Sequence, residues 1–263
     1  MKNRMANAGK DVTPFPGGAD GGPAPAPQPL YLQVKNHLIR RVLQGEWKPG
    51  ELLPSEMKLA EGYNLSQGTV RKAIEELVTE GLVTRHAGRG TFVASHKGDY
   101  KPFRFHRFRS ESGERLTDGE VTFMRAVTGQ ASPRAAKALQ IAPGAPVAML
   151  TRLRSLHGRP MMLERIVLGL ELCAGADAIL AEQQPNSIYL TLEQNYNILI
   201  TRVDEIIRAR LATPEDESAL ELAPGTPVLE VERLAFSLGG EPVEWRLSVG
   251  QTEHMHYWNQ LSS

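Results

Sequence analysis

The sequence predicts two domains: a mainly α-helical N-terminal domain that ends in a β-hairpin, and a C-terminal α+β domain built on an antiparallel sheet. Apolar residues recur at helical spacing through residues 30–80, and a glycine-rich hairpin pattern follows at residues 82–93. Further along, a helix-plus-hairpin pattern occurs twice, first at residues 132–160 and again at residues 213–242. A chain of 263 residues is long enough for two hydrophobic cores.

The charges divide in the same way, although the net charge of the chain is zero. Residues 29–109 contain 14 Lys and Arg against 8 Asp and Glu, a net charge of +6, whereas residues 110–263 contain 13 against 20, a net charge of −7. A basic module joined to an acidic one is typical of a nucleic-acid-binding domain attached to a second domain.

The N-terminal residues 1–28 contain paired glycines and a Pro-Ala run, so we expect a disordered tail. The first helix is predicted from apolar residues at helical spacing, and Gly45 is placed to end it. These apolar positions are Leu30, Val34, Leu38, Ile39, Val42 and Leu43. Trp47, in the turn that follows, is expected to lie in the core.

Two short helices joined by a tight turn come next. Pro54 suits the first turn of a helix, where its missing N–H loses no hydrogen bond, and Asn64 and Leu65 form the turn. Ser66 is a good N-cap for the second helix, and Gly81 is placed to end it in a left-handed conformation. The expected apolar positions are Met57, Leu59, Ala60 and Tyr63 in the first helix and Val70, Ile74, Leu77 and Val78 in the second.

The second of these helices is polar at its N-terminal end, as in a helix-turn-helix that presents its first residues to base edges in the major groove. The candidate DNA-binding residues are Met57 in the preceding helix and, at this helix end, Ser66, Gln67, Gly68, Thr69, Arg71 and Lys72. The hairpin would then be a wing, whose Gly88, Arg89 and Gly90 allow close approach to a phosphate or the minor groove. An ordinary helical corner with a solvated charged face is the alternative, but the wing favours double-stranded DNA as the partner.

Five motifs within residues 29–94 resemble the winged helix-turn-helix of the GntR family of bacterial transcription regulators: PLYLQVKNHLI, LPSE, TVRKAIEEL, EGLV and GRGTFV. The resemblance implies DNA contacts from Thr69, Arg71 and Gly88. Two positions depart from the family, which commonly has Arg where this chain has Met57 and Gln67. Because Arg favours guanine and Gln favours adenine, we expect an operator that differs at those positions.

Residues 95–100 are expected to form a linker, and the following FRFHRFR at residues 103–109 alternates aromatic and basic side chains. Alternation at period 2 predicts a strand with a Phe face and a cationic face, the first strand of the next domain. A platform for single-stranded nucleic acid is the alternative, because aromatic and basic residues together also suit stacked bases and phosphates.

Each copy of the repeat opens with a Ser or Thr N-cap, Ser132 or Thr213, followed by proline. A short helix, an APGxPV turn, an outgoing strand, a glycine-containing turn and a returning strand follow. Further helices are predicted at residues 173–182 and 187–195, and a further strand at residues 198–207. We expect the two hairpins and the two additional strands to form one antiparallel sheet with helices packed on it.

This arrangement resembles the UTRA effector-binding domain of the HutC branch of the GntR family, over residues 101–258. The motifs are the APGxPV turns, RLR, GRPMMLE and EPVEWR. The resemblance implies a chorismate-lyase-like fold that acts as a sensor, in which a small metabolite binds and shifts the affinity for DNA. It also implies effector contacts from Arg152, Arg154 and Glu244.

The spacing of arginines and glutamates along the predicted strands indicates the same effector site. Arg152 and Arg154 are two positions apart on one predicted strand and therefore share a face. The repeat puts Glu164 and Glu244 on a common face, with Arg246 following. Adjacent guanidiniums need an anion or carboxylate, so these residues could form a pocket for a small anionic or hydroxylated metabolite. In the alternative interpretation they neutralise one another as a salt-bridge network.

Other functions find less support in the sequence. It has no nucleophile elbow, phosphate loop or dinucleotide fingerprint, so we expect no catalytic residue and no cofactor. The lone Cys173 excludes an intramolecular disulfide and is expected to be buried. His254 and His256, even with His157 or His37, lack the spacing of a metal site. There is no apolar run of membrane-spanning length and no signal-peptide core, so no membrane partner and a cytoplasmic location are expected.

Together these features predict a homodimeric transcription regulator, expected to be a repressor, that reads a palindromic operator. A metabolite bound to the acidic domain would change the spacing or mobility of the two DNA-binding heads through a hinge at residues 95–100. Whether the effector releases or strengthens DNA binding stays open. The alternatives are an enzyme with a vestigial DNA-binding domain and a protein that binds nucleic acid without sequence preference.

Overall fold

The computed structural model describes residues 28–95 and 105–260, which divide into two compact units between residues 94 and 95. The disordered tail predicted for residues 1–28 lies outside the described residues except for Gln28. Residues 96–100 of the predicted linker and the first two residues of the predicted strand at 103–109 also lie outside them.

Within residues 28–95, the first unit consists of three helices and a small sheet. Its elements are α1 (Leu30–Leu43), α2 (Glu56–Tyr63), α3 (Gln67–Thr79), β1 (Val83–His86) and β2 (Gly90–Val93). Strands β1 and β2 are antiparallel, and Leu52 adds an isolated bridge to Phe92. The apolar faces meet in one core, whose central members are Val34, Leu38, Trp47, Leu59, Ile74 and Leu77. This is the predicted winged helix-turn-helix.

Local sequence determines where these helices begin and end. The Ser66 hydroxyl accepts a hydrogen bond from the Thr69 amide and caps α3, which confirms the predicted N-cap. Asn64 ends α2 in the left-handed conformation at φ 53°. Gly81 follows α3 at φ 69°, a conformation that favours glycine, so the predicted helix end is also confirmed.

Three apolar or helix-start positions differ from the prediction. Pro54 lies before the first turn of α2, because Ser55 takes the N-cap position. Met57 and Val78, both counted among the apolar positions of their helices, are 59% and 38% exposed. For Met57, exposure agrees with its other predicted role as a DNA-contacting position. Val78 lies at the border of the apolar stripe of α3, and Ala73 takes the buried position between the larger residues.

Within residues 105–260, the second unit is an α+β domain. Its large strands are β4 (Glu120–Gln130), β5 (Pro146–Leu156), β6 (Arg159–Gly169), β7 (Ile200–Leu211), β8 (Pro227–Ser237) and β9 (Pro242–Gly250). Its helices are α4 (Pro133–Leu139), α5 (Ala176–Gln183), α6 (Ile188–Tyr196) and α7 (Pro214–Leu220). Short strands β3 (Phe108–Ser110) and β10 (Met255–Tyr257) pair with each other, and residues Leu116–Asp118 form a 3-10 helix.

The internal repeat gives the main sheet its symmetry. The six strands are antiparallel in the order β4-β5-β6-β9-β8-β7. One copy supplies α4, β5 and β6 and the other supplies α7, β8 and β9, and each is preceded by a further strand, β4 or β7. Ser132 and Thr213 cap α4 and α7, each followed by proline, as predicted. The two copies meet where β6 pairs with β9, and β4 and β7 form the two edges of the sheet.

The strand predicted at residues 103–109 is wrong in its extent and in its partner. Only Phe108–Ser110 forms a strand among the described residues of this segment, and it pairs with β10 outside the main sheet. Strand β4, which was not predicted, is the first strand of the main sheet instead and forms one of its edges. The aromatic residues explain the difference, because Phe105 packs against Tyr189 of α6 whereas Phe108 belongs to a separate apolar cluster. They therefore do not share one strand face.

Helices cover both faces of the main sheet. Helices α4 and α7 pack on one face, against clusters that include Trp245 and Leu163. Helices α5 and α6 pack on the other face over Leu150 and Ile166, and the fully buried Cys173 belongs to this cluster, as expected. The second face also carries the polar side chains of the candidate effector site.

Candidate DNA-binding surface and effector site

The N-terminal end of α3 is the first candidate site. Its predicted contact residues are exposed or, for Thr69, partly exposed: Ser66, Gln67, Gly68, Thr69, Arg71 and Lys72. The Ser66 and Thr69 hydroxyl oxygens lie 2.8 Å apart, and the hydrogen bond between them stabilises the first turn of α3. A helix N-terminus with free amides and nearby cations favours a phosphate group. Met57 of α2 is exposed as well.

Glu56, the last residue of the LPSE motif, links this helix end to the wing strands. Its carboxylate accepts from Arg71 Nε at 3.0 Å and also from Arg85 of β1. The arginine side chains remain 53% and 43% exposed, so both can still reach a phosphate. Arg85 was missed by the sequence analysis, and its place in the strand before the wing glycines is the signal that could have indicated it. Glu56 therefore orients two cations on one surface.

The wing is shaped by its glycines. Gly88 has φ 70° and Gly90 has φ 108°, and Arg89 between them is exposed. A Cβ atom on Gly90 would lie 2.7 Å from Leu52 Cδ1, whereas a Cβ atom on Gly88 would meet open space. Both positions need glycine for backbone reasons, whereas the contact at Gly90 is with the end of an exposed leucine side chain that can move.

The second candidate site lies on the sheet face that carries α5 and α6. The predicted effector residues come together there from β5, β6 and β9, and each is at most 2% exposed: Arg152, Arg154, Glu164, Glu244 and Arg246. Five ionic side chains buried together require mutual neutralisation or a ligand.

Glu164 is the centre of this cluster. Its Oε2 accepts from Arg152 Nε at 2.6 Å and from Arg154 Nε at 3.0 Å, and its Oε1 accepts from Arg246 Nη1 at 2.7 Å. Arg246 also binds Glu244 in a bidentate manner, at 2.9 and 2.6 Å. The salt-bridge network considered as the alternative is therefore present.

The electrostatics of the cluster follow from this geometry. Burial alone would raise the pKa of Glu164, but the three arginines hold it well below the ordinary value. Burial lowers the pKa of Arg152, and Glu164 opposes that effect. Guanidiniums stay charged at neutral pH, so the network consists of real ions.

A fourth buried arginine, Arg233 of β8, was missed by the sequence analysis. It is the repeat counterpart of Arg152, at the offset that relates Ser132 to Thr213, and this offset could have indicated it. It is 5% exposed, and it donates through Nε to Glu205 at 2.8 Å and through Nη2 to the Phe105 carbonyl. Its Nη1 is buried without a hydrogen-bond partner among the described residues.

With Arg233 included, positive charge exceeds negative charge. Four guanidiniums meet the carboxylates of Glu164, Glu244 and Glu205. His106 adds no proton, because burial and three of the arginines hold its pKa well below the ordinary value. Around the arginines, Asn186 accepts from Arg154 at 2.7 Å. Tyr189 donates to Glu244 at 3.0 Å, and burial raises its pKa to about 12. The arrangement suits an anionic group.

Other features of the described residues lie apart from this cluster. A cavity of about 240 Å³ is lined by residues 159–161, 220–223, 226, 251 and 253–254, which include none of the predicted effector residues. In residues 28–95 and 105–260, no three His, Cys, Asp or Glu side chains are grouped to hold a metal ion. His157 lies 3.1 Å from Glu114. No helix in the described part of the chain is long and apolar enough to cross a membrane.

Comparisons with known proteins bear on both units. The family model described as bacterial regulatory proteins, gntR family, matches residues 30–93, and the UTRA domain model matches residues 120–256. The HTH-type transcriptional repressor NagR of Bacillus subtilis is 29% identical over 247 residues, covering 90% of this chain and 98% of NagR. The histidine utilization repressor of Pseudomonas putida is 28% identical and covers 82% of this chain and 86% of the relative.

Solved structures show the same fold. The ligand-binding domain assigned to a GntR-family transcriptional regulator of Bordetella bronchiseptica matches with a TM-score of 0.54 and 27% identity, covering 60% of this chain and 98% of that chain. PhnF from Mycobacterium smegmatis matches with a TM-score of 0.50 and 24% identity, over 88% of this chain and 99% of that one.

Proposed function

Because the chain belongs to the GntR family of bacterial regulators, in the HutC branch that carries a UTRA domain, we propose that it is a homodimeric repressor with an anionic effector. It binds a palindromic operator through its winged helix-turn-helix, and the effector bound in the UTRA domain changes the operator affinity. As a repressor of transcription it acts in the cytoplasm, where the bacterial DNA lies. Residues 95–100 serve as the hinge between the DNA-binding domain and the UTRA domain.

The proposed operator contacts are the exposed end of α3 and the wing. Gln67, Thr69 and Arg71 reach base edges or phosphates in the major groove, and Arg89 reaches the adjacent backbone or minor groove. Two such heads, related by two-fold symmetry, read half-sites about 34 Å apart on one face of the DNA, so a palindromic operator follows from a homodimer.

One observation supports an anionic effector above all others: the buried arginine cluster has more positive than negative charge, and Arg233 Nη1 has no partner among the described residues. A carboxylate or phosphate group of a metabolite supplies the missing negative charge and accepts that hydrogen bond. When the ligand binds, some of the hydrogen bonds that Glu164 and Glu244 accept are replaced by hydrogen bonds to the ligand. The donors in both cases are Arg152, Arg154 and Arg246.

A thermal-shift screen of small carboxylates and phosphates tests the effector. We expect at least one member to raise the melting temperature by about 5 °C or more at saturating concentration. The same compound should have a much smaller effect on Arg233→Gln and an undiminished effect on Arg202→Gln, a matched change at a side chain that is 60% exposed. Stabilisation only by neutral or cationic compounds would contradict the proposal.

The two other functions give different results. An enzyme with a vestigial DNA-binding domain would turn over a metabolite without binding an operator, and it is supported by fold analogy alone. A non-specific nucleic-acid-binding protein would lose affinity with salt but bind operator and scrambled DNA alike. We expect a specific-to-scrambled affinity ratio of at least about 10³.

A further inference from the structure

The two halves of the internal repeat differ at the centre of the arginine cluster. Strands β5 and β8 begin at residues 146 and 227, so an offset of 81 residues relates Arg152 to Arg233. The returning strands β6 and β9 carry the prolines of the repeat at 160 and 242, so their offset is 82 and relates Glu164 to Arg246. The second half therefore has a guanidinium where the first half has a carboxylate.

Strand pairing shows the consequence of this difference. Arg152 lies directly opposite Glu164 across β5 and β6, and its Nε donates to that carboxylate at 2.6 Å. Arg233 lies directly opposite Arg246 across β8 and β9, in the equivalent register. Opposite charges in directly opposed positions stabilise a strand pair, whereas like charges destabilise it. The second half of the sheet is thus left with two facing arginines.

No carboxylate of the described residues bridges these two arginines. Arg246 donates to Glu164 and Glu244. Arg233 donates through Nε to Glu205 at 2.8 Å, and its Nη2 lies 2.7 Å from the same carboxylate. Its Nη1 is buried and has no hydrogen-bond partner in the described part of the chain. Because a buried donor without an acceptor is destabilising, this N–H group favours a ligand that supplies one.

Position 235 also differs between the halves. The offset of 81 relates Arg154 to Ala235, and residues two apart on a strand share a face, so Ala235 lies on the same face as Arg233. In the first half the Arg154 guanidinium fills this position and donates to Glu164 at 3.0 Å. In the second half the side chain ends at Cβ, although the position is fully buried. Alanine at 235 therefore places no long side chain beside Arg233.

The net charge of the cluster distinguishes between two kinds of anion. Among the described residues four guanidiniums meet three carboxylates, an excess of one positive charge. A carboxylate brings one negative charge and neutralises this excess. A phosphate monoester carries about −1.5 to −2 at neutral pH and would leave a buried negative charge. Because unneutralised buried charges are costly, the balance favours a carboxylate.

We propose that the anionic group of the effector is a carboxylate that binds between Arg233 and Arg246, where it takes the role that the Glu164 side chain has in the first half of the repeat. The proposal rests on the proposed function and deepens it, because it names the chemical class of the effector and makes Arg233 a specificity-determining residue. Arg233 donates through Nη1, and Arg246 supplies the second positive charge.

Matched anions test the class of ligand. Thermal unfolding of the full chain is measured in sodium acetate, sodium lactate and sodium phosphate, with sodium chloride at equal ionic strength as the reference. We expect acetate or lactate to raise the melting temperature of the wild type by about 2 °C or more. Arg233→Gln should lose this gain, whereas Arg202→Gln, a change at a 60% exposed arginine, should keep it. Phosphate should act equally on all three proteins, because its exclusion from protein surfaces does not depend on the cluster.

A carboxylate built into the protein gives a test that needs no ligand. At an ordinary buried position aspartate is less stable than asparagine of the same size, because an unpaired charge costs more to bury than an amide. Beside the excess positive charge this order should reverse, so Ala235→Asp should melt about 3 °C or more above Ala235→Asn. Ala148, equally buried on β5 and in the same apolar cluster, is the control. Ala148→Asp should melt below Ala148→Asn.

The outcomes separate this proposal from the proposed function. A gain that depends on Arg233 in phosphate, but not in acetate or lactate, would overturn the carboxylate and leave the anionic effector intact. The absence of any gain that depends on Arg233, in all three anions, would refute both. Ala235→Asn melting above Ala235→Asp would overturn the position of the carboxylate. If neither Ala235 variant folds, the comparison of anions alone decides.

Discussion

Glu164 accepts hydrogen bonds from three buried arginines, and this residue shows how the second unit tolerates so many buried charges. Burying ions is unfavourable, and a network of this kind adds little net stability compared with apolar side chains. Removing one member of the network is strongly destabilising, because its partners are then left as unneutralised buried charges. The many ionic contacts of the network are therefore no measure of its net contribution to stability.

Replacing Glu164 by glutamine should therefore destabilise the second unit strongly. We expect Glu164→Gln to lower the free energy of unfolding by about 3–5 kcal/mol, measured by denaturant titration at neutral pH. Glu215→Gln is the control, since Glu215 pairs with Arg165 but its side chain is 67% exposed. The control should change the free energy of unfolding by less than about 1 kcal/mol. If the two variants lost the same free energy of unfolding, burial of the network would contribute little to the effect of Glu164→Gln.

The same pair of proteins should differ in their response to acid. The folded pKa of Glu164 lies well below its ordinary value of 4.5, so the stabilisation from its charge is fully present above that value. It is lost as the pH falls through the folded pKa. The stability difference between wild type and Glu164→Gln should therefore be largest at neutral pH and shrink in acid. A difference that grows as the pH falls from 7 to 3 would contradict this assignment.

At the scale of single elements, the sequence predicts most where local chemistry decides. The caps at Ser66, Ser132 and Thr213 depend on neighbouring residues only, and all three form as expected. The segment 103–109 was mispredicted because its alternation suggests a strand, whereas the packing of Phe105 and Phe108 in two separate cores is tertiary information. The buried partners of Arg233 likewise depend on which strands become neighbours, although the repeat marked the residue itself.

The wing offers a prediction at this scale, because two of its glycines differ in what surrounds them. Gly88→Ala should cost about 1 kcal/mol, since alanine in the left-handed region is strained but meets open space. Gly90→Ala should cost about 2–3 kcal/mol, because φ 108° lies further from the conformations that alanine adopts, and the end of the Leu52 side chain must also move aside. Thermal unfolding of the two variants measures the difference, and a larger loss for Gly88→Ala would contradict it.

At the scale of the whole molecule, the division of charge between the two units follows their tasks. The basic unit attracts DNA, whereas the acidic unit is repelled by it, so the orientation of the bound protein is favoured by long-range electrostatics. The acidic unit nonetheless concentrates arginines in its interior, where they bind the carboxylates of Glu164 and Glu244. Composition alone indicated the division of charge between the two units. The buried arginine cluster could not be read from composition, because it depends on the sheet, which brings residues from four strands to one face.

The central claim, sequence-selective DNA binding by the end of α3, is tested most directly by fluorescence-anisotropy titration with DNA from upstream of the protein's own gene and with scrambled DNA. Wild type should prefer the upstream DNA. Arg71→Ala should lose that preference, with affinity reduced about tenfold or more. Arg125→Ala removes the same charge from an exposed site on β4 and should bind as wild type does. Equal binding to both DNAs, or an Arg71→Ala variant that keeps its selectivity, would contradict the claim.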